Sequence, residues 1–69
     1  MVKLGNLLYT LSPIGFVRIL GAYGNQLYTG IRGNIPMDFF NEYRNNRVIC
    51  VSVENGELTI YVGDELDVQ

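Results

Sequence analysis

The chain carries four arginines, Arg18, Arg32, Arg44 and Arg47, against a single lysine, and five tyrosines, but no histidine. A guanidinium presents a planar fork of donors that matches phosphate and carboxylate oxygens, and a tyrosine ring offers a flat surface for stacking. The chemistry open to this set is the capture of an anionic group with an aromatic ring beside it. Proton transfer near neutral pH is poorly served, since it calls for a histidine or a carboxylate shifted by burial. The acids sit in turns, at a helix start (Asp38 and Glu42) and in the last six residues, where water keeps them ordinary. Cys50 stands mid-strand between Ile49 and Val51, a setting for inert packing rather than for a nucleophile. Gly21, Gly24, Gly30 and Gly33 fit neither the dinucleotide-binding nor the phosphate-loop spacing and read as turn formers. The expectation is a protein that is not an enzyme, with no metal and no cofactor.

The elements that must position these groups are short. Leu4, Leu7, Leu8 and Leu11 recur at the spacing of one helical face, and Ser12-Pro13 ends that helix. Gly15 to Leu20 reads as a strand, Gly21 to Asn25 as a turn, and Leu27 to Arg32 as the returning strand. Gly33-Asn34-Ile35-Pro36 breaks the sheet and opens a second helix with an apolar stripe of Met37, Phe40 and Tyr43. Arg47 to Val53 is the strongest strand signal. Asn55-Gly56 is the strongest hairpin signal, and Glu57 to Val62 closes the order. The two hairpins echo each other, each with a glycine-centred turn and a tyrosine in the strand that follows. The expected fold is α+β: a small single domain over residues 1–63, helix–hairpin–helix–hairpin, with one antiparallel sheet, open or barrel-like, and an acidic tail over 64–69.

Sixty-nine residues make one domain whose own core is marginal. A single cysteine rules out an internal disulfide, and one cysteine with no histidine cannot assemble the usual zinc sites. Self-association is the remaining support, and a composition that is 48% hydrophobic leaves apolar surface for it, so a homo-oligomer is expected. The net charge of −2 is uneven, because Asp64, Glu65 and Asp67 crowd the end and leave a nearly neutral body. No basic run is present, which argues against duplex nucleic acid. The apolar stretch Leu4 to Leu11 is broken by Asn6, Thr10, Ser12 and Pro13, so neither a signal peptide nor a membrane span is expected, and a cytoplasmic location follows.

Strict alternation puts Val17, Ile19, Leu27, Ile31, Ile49, Val51, Val53, Leu58 and Ile60 toward the helices. The opposite face then shows Phe16, Arg18, Leu20, Tyr28, Arg32, Val48, Cys50, Thr59 and Tyr61. Such a mixture of aromatics, aliphatics and arginines marks an interaction surface. Two uses are open: a dimer interface, or a site where Arg18 and Arg32 receive an anion while Tyr28 or Tyr61 stacks on its ring. Arg44 and Arg47, flanking Asn45-Asn46, form a second donor cluster or a solvated helix end.

The leucine-rich first turn, then Val17-Arg18-Ile19, then the run Gly24 to Gly30, then Asn34-Ile35-Pro36, then Ser52 to Val62, resembles a group of small proteins encoded by phages and prophages of Firmicutes and gut bacteria. The resemblance covers positions 4 to 62, and Ala22-Tyr23 stand where group members carry acidic residues. It implies an accessory or counter-defence protein in the host cytoplasm. In that setting the expected role is an oligomer that sequesters a small anionic, nucleotide-type immune signal through Arg18, Tyr28, Arg32, Arg44, Arg47 and Tyr61. The alternatives are an inhibitor or adaptor that docks on a host defence protein, and a structural phage subunit.

Overall fold

A computed structural model of the chain describes residues 2–65. Helix α1 spans Leu4–Tyr9, strands β1 and β2 span Phe16–Gly21 and Gln26–Ile31, and a short 3-10 turn covers Arg32–Asn34. Helix α2 spans Met37–Tyr43, and strands β3 and β4 span Asn46–Glu54 and Glu57–Glu65. The helix–hairpin–helix–hairpin α+β domain is the one expected. Its single sheet runs in the order β2-β1-β4-β3 and is open, not closed into a barrel. The two hairpins are antiparallel, but β1 and β4 join them in parallel, Val17 opposite Leu58 through Gly21 opposite Val62. The sheet is therefore mixed, where an antiparallel one was expected. The inner strand is the first of one hairpin and the second of the other, so the two echoing hairpins hold unequal places.

Burial explains why these two strands lie inside. Val17 and Ile19 of β1 and Ile60 and Val62 of β4 share one face and form the buried core with Leu4 and Leu8 of α1. Phe39, Phe40 and Tyr43 of α2 pack around the same cluster. Met37, expected on that stripe, is exposed instead, and Phe39 takes its place against Tyr28 and Tyr43. Helix α1 stops at Tyr9, where the Thr10 hydroxyl donates to the Leu7 carbonyl at 2.6 Å, so Leu11 reaches the core from outside the helix. Pro36 occupies the position just before α2, whose first turn needs no donor there. Among the described residues no helix is long and apolar enough to cross a membrane.

The turns follow their chemistry. Asn55 and Gly56 take φ of 54° and 78°, the paired left-handed conformation of a two-residue hairpin loop. The first hairpin uses a longer loop, with Gly24 at φ 84° donating its N–H to the Gly21 carbonyl.

Two bulges overturn part of the alternation. In β2 the pairing shifts between Ile19–Tyr28 and Leu20–Gln26, which leaves Leu27 as an extra residue. Tyr28, opposite Ile19, therefore lies on the helix side, and Thr29 and Ile31 lie on the other side with Arg18 and Phe16. In β3 the pairing shifts between Val48–Val62 and Cys50–Tyr61, so Val48 joins Val51 and Val53 on the helix side. Ile49 moves to the opposite side, near Gly63. Strand β4 runs past Val62 through Gly63 and Asp64 to Glu65, with the Asn46 amide donating to the Gly63 carbonyl at 2.8 Å. The rest of the acidic tail, including Asp67, lies outside the described residues.

Candidate functional site

The six arginine and tyrosine positions singled out in the sequence do not converge on one face. Arg18 and Tyr61 stand on the face away from the helices, and both are already engaged. The Arg18 guanidinium is ion-paired with Glu57. The Tyr61 hydroxyl donates to Glu54 Oε2 at 3.1 Å, and the same oxygen accepts from the Ser52 hydroxyl at 2.9 Å. Thr59 lies fully buried at the middle of this face, opposite Arg18 on one side and Ser52 on the other. One arginine and two glutamates give the patch a negative balance, so it offers an anion little attraction. Apart from Arg18 Nε, the hydrogen bonds of this polar lattice are made within itself, which helps an uncovered sheet face to be stable.

Tyr61 holds its proton more tightly than a free tyrosine. The hydrogen bond to Glu54 is the main cause, followed by desolvation and by the charges of Glu54 and Cys50, with Arg18 opposing. The folded value lies above the unfolded value of 10.0, so the contribution is intact below that pH and lost as pH rises through the folded value. Urea unfolding of wild type and Tyr61→Phe across the alkaline range should show a stability difference that shrinks above pH 10. A constant difference would mean that the hydroxyl contributes nothing through Glu54.

Tyr28 is spent on structure. Its ring packs against Phe39 at 5.7 Å between centroids and its hydroxyl donates to the Ile31 carbonyl at 2.7 Å. Arg47 is the second residue of β3 and lies over Gly63, apart from Arg44 at the end of α2.

Of the six, Arg32 and Arg44 line cavities, and these lie on the helix side. A cavity of about 210 Å³ is lined by Leu8, Tyr9, Arg32, Gly33, Ile35, Met37 and Phe40. A second of about 210 Å³ is lined by Lys3, Gly5, Asn6, Tyr9, Phe40, Arg44 and Asn45. Tyr9 and Phe40 are common to both, and their rings meet edge to face at 5.7 Å between centroids. The local folding that builds this site is plain. The Arg32 N–H donates to the Gly15 carbonyl at 2.8 Å, which fixes the turn out of β2. The Gly5 N–H donates to the Arg44 carbonyl at 2.9 Å, which ties the start of α1 to the end of α2. Lys3 bridges to Arg47 on β3, which holds the N-terminal segment in place.

One cavity is mostly apolar with a single cation, and the other is polar with two cations, two asparagines and an aromatic wall. None of the lining residues is a carboxylate. Arg32 Nε is buried without an acceptor, a costly state unless a ligand or water supplies one. Arg18 Nε is likewise unpaired, but that guanidinium already holds Glu57. Lys3 and Tyr9 were missed in the sequence. Neither belongs to a motif, and Tyr9 lies off the stripe of Leu4, Leu7, Leu8 and Leu11.

Compared with known proteins, the chain matches no protein-family model, and no curated sequence or solved structure is significantly similar to it.

Proposed function

We propose that the chain is a non-enzymatic binding protein whose α1–α2 face holds a small anionic ligand that carries a ring. The observation behind this reading is that Arg32 lines an apolar cavity that adjoins a second, cationic hollow across the Tyr9–Phe40 pair, with no carboxylate in either lining. A cavity of about 150 Å³ already takes a benzene-sized ring. Leu8, Ile35 and Phe40 offer walls for a ring, Arg32 adds a cation to the same cavity, and Lys3 and Arg44 supply cations in the adjoining hollow for an attached phosphate. Tyr9, 73% exposed, presents its ring at the boundary between the two hollows. The cavities contain no carboxylate, histidine or cysteine to move a proton, and this favours holding over turnover. In the phage setting that the sequence resemblance implies, the role would be to withhold a nucleotide-type immune signal from host proteins.

The test is a titration followed by backbone amide NMR, using inorganic phosphate, phenyl phosphate and a nucleoside monophosphate as probes. The ring-bearing phosphates should shift amides of α1 and α2 and bind more tightly than inorganic phosphate. Arg32→Ala should weaken them by about 10- to 100-fold, the worth of a charge-assisted hydrogen bond at roughly 1.5–3 kcal/mol. Arg18→Ala should leave binding unchanged. Millimolar ligand that moves no amide of α1 or α2, or binding insensitive to Arg32, would sink the reading.

A further inference from the structure

Strand β3 is one edge of the sheet, and its outer side is covered only at its start. Lys3 bridges to Arg47, and the Val48 N–H donates to the Val2 carbonyl at 2.8 Å, so the N-terminal segment shields those two positions. From Ile49 to Glu54 the outer side has no strand partner among the described residues. This stretch is also apolar and open: Ile49 is 48% exposed, Val51 45% and Val53 71%. Proteins blunt such an edge with proline, lysine or an inward charge, and Val48 to Val53 contains none of these. The other edge is blunted. Strand β2 has six residues, is broken by the Leu27 bulge and exposes no large apolar side chain.

We infer that β3 pairs antiparallel with β3 of a second copy of this chain, joining two sheets into one of eight strands. A second copy is the occupant that the strand itself specifies, because its free stretch is self-complementary. A two-fold axis normal to the sheet requires that facing residues lie on the same side, and that condition restricts the register. An axis at Val51 would set Glu54 against the position that Val2 already covers at Val48. An axis at Ser52 uses only free residues. It places Val51 opposite the second copy's Val53 on the helix side, Ser52 opposite itself, and Cys50 opposite the second copy's Glu54. The exposed valines then form one four-residue cluster. One open edge per chain closes as a dimer, whereas two would grow a filament. Arg32, Arg44 and the cavities play no part, so this inference stands apart from the proposed ligand.

Native mass spectrometry and light scattering of the full chain test the pairing. The expected result is twice the 7.8 kDa chain mass, falling to the monomer mass for Val53→Lys with an unchanged circular dichroism spectrum. Cys50→Ser combined with Ser52→Cys tests the register. Directly opposite strand residues have Cβ atoms about 4.5–5.5 Å apart, close enough for mild oxidation to link them. That variant should give a covalent dimer, and Cys50→Ser combined with Thr29→Cys should not. A monomeric wild type, a Val53→Lys protein that remains dimeric, or a dimer whose Ser52→Cys variant fails to link would each overturn it.

Discussion

Replacing Ile60 by alanine should cost about 2–5 kcal/mol, the range for deleting a buried aliphatic side chain and leaving a cavity. Ile60 has no exposed surface, sits on an inner strand, and is flanked in register by Ile19 of β1 and Val51 of β3. Its neighbours are held by ladders on both sides, so collapse into the void is limited. Globular domains are stable by about 0.05–0.15 kcal/mol per residue, which puts a chain of 69 residues at about 3–10 kcal/mol. One truncation therefore removes a large share of the total, and a substantial unfolded fraction is expected at room temperature. Ile14→Ala supplies the contrast: Ile14 is 83% exposed, and its loss should change stability by less than about 0.5 kcal/mol. Urea midpoints with unchanged slopes would measure both. Equal, small effects would mean that Ile60 is not on an inner strand, and the parallel junction of β1 with β4 would fall with it.

That junction is also where the sequence is least informative. Periodicity of two identifies Gly15 to Leu20 and Glu57 to Val62 as strands and identifies their apolar faces, and the turn residues fix the hairpins. Nothing local states which strand of each hairpin turns inward. The decision comes from the helices: α1 and α2 have enough apolar surface to cover Val17, Ile19, Ile60 and Val62, and not enough to cover β3 as well. The bulges are a second limit. An extra residue at Leu27 or Ile49 leaves no mark in the sequence of either strand, yet it moves Tyr28 to the helix side and Ile49 away from it. The face expected to gather Arg18, Tyr28, Arg32 and Tyr61 is thereby split.

The candidate site was legible to the same partial degree. Of the six residues singled out, only Arg32 and Arg44 line the two adjoining cavities. Their companions could not be found from spacing along the chain, because Lys3 and Tyr9 come from α1 and its lead-in, Arg32 from the turn after β2, and Arg44 from the end of α2. What assembles them is the crossing of α1 on α2, and its one sequence mark is a glycine inside a leucine-rich helix. Glycine is a poor helix former, so a reason for it is expected.

Gly5→Val should lose about 1–3 kcal/mol, the usual cost of forcing extra volume into a packed contact. A Cβ at Gly5 would stand 2.9 Å from the Cβ of Arg44 and 3.2 Å from its carbonyl oxygen. Neither atom is the free end of a flexible side chain, so relief requires moving backbone. The movement would also break the 2.9 Å hydrogen bond from the Gly5 N–H to that carbonyl, which is the tie between the two helices. The consequence for the site is separable from the cost in stability. Gly5 and Arg44 both line the Lys3 hollow, so a valine that spreads α1 from α2 should weaken ring-bearing phosphates even at temperatures where the variant is fully folded. Gly5→Ala would probe the same contact with the smallest increment, its gain in helix propensity of about 1 kcal/mol set against the clash. The decisive reading compares urea midpoints with ligand titrations on the folded protein. A Gly5→Val protein that is destabilised and yet binds like wild type would separate the helix crossing from the site, and Lys3 and Arg44 would then be only surface charges.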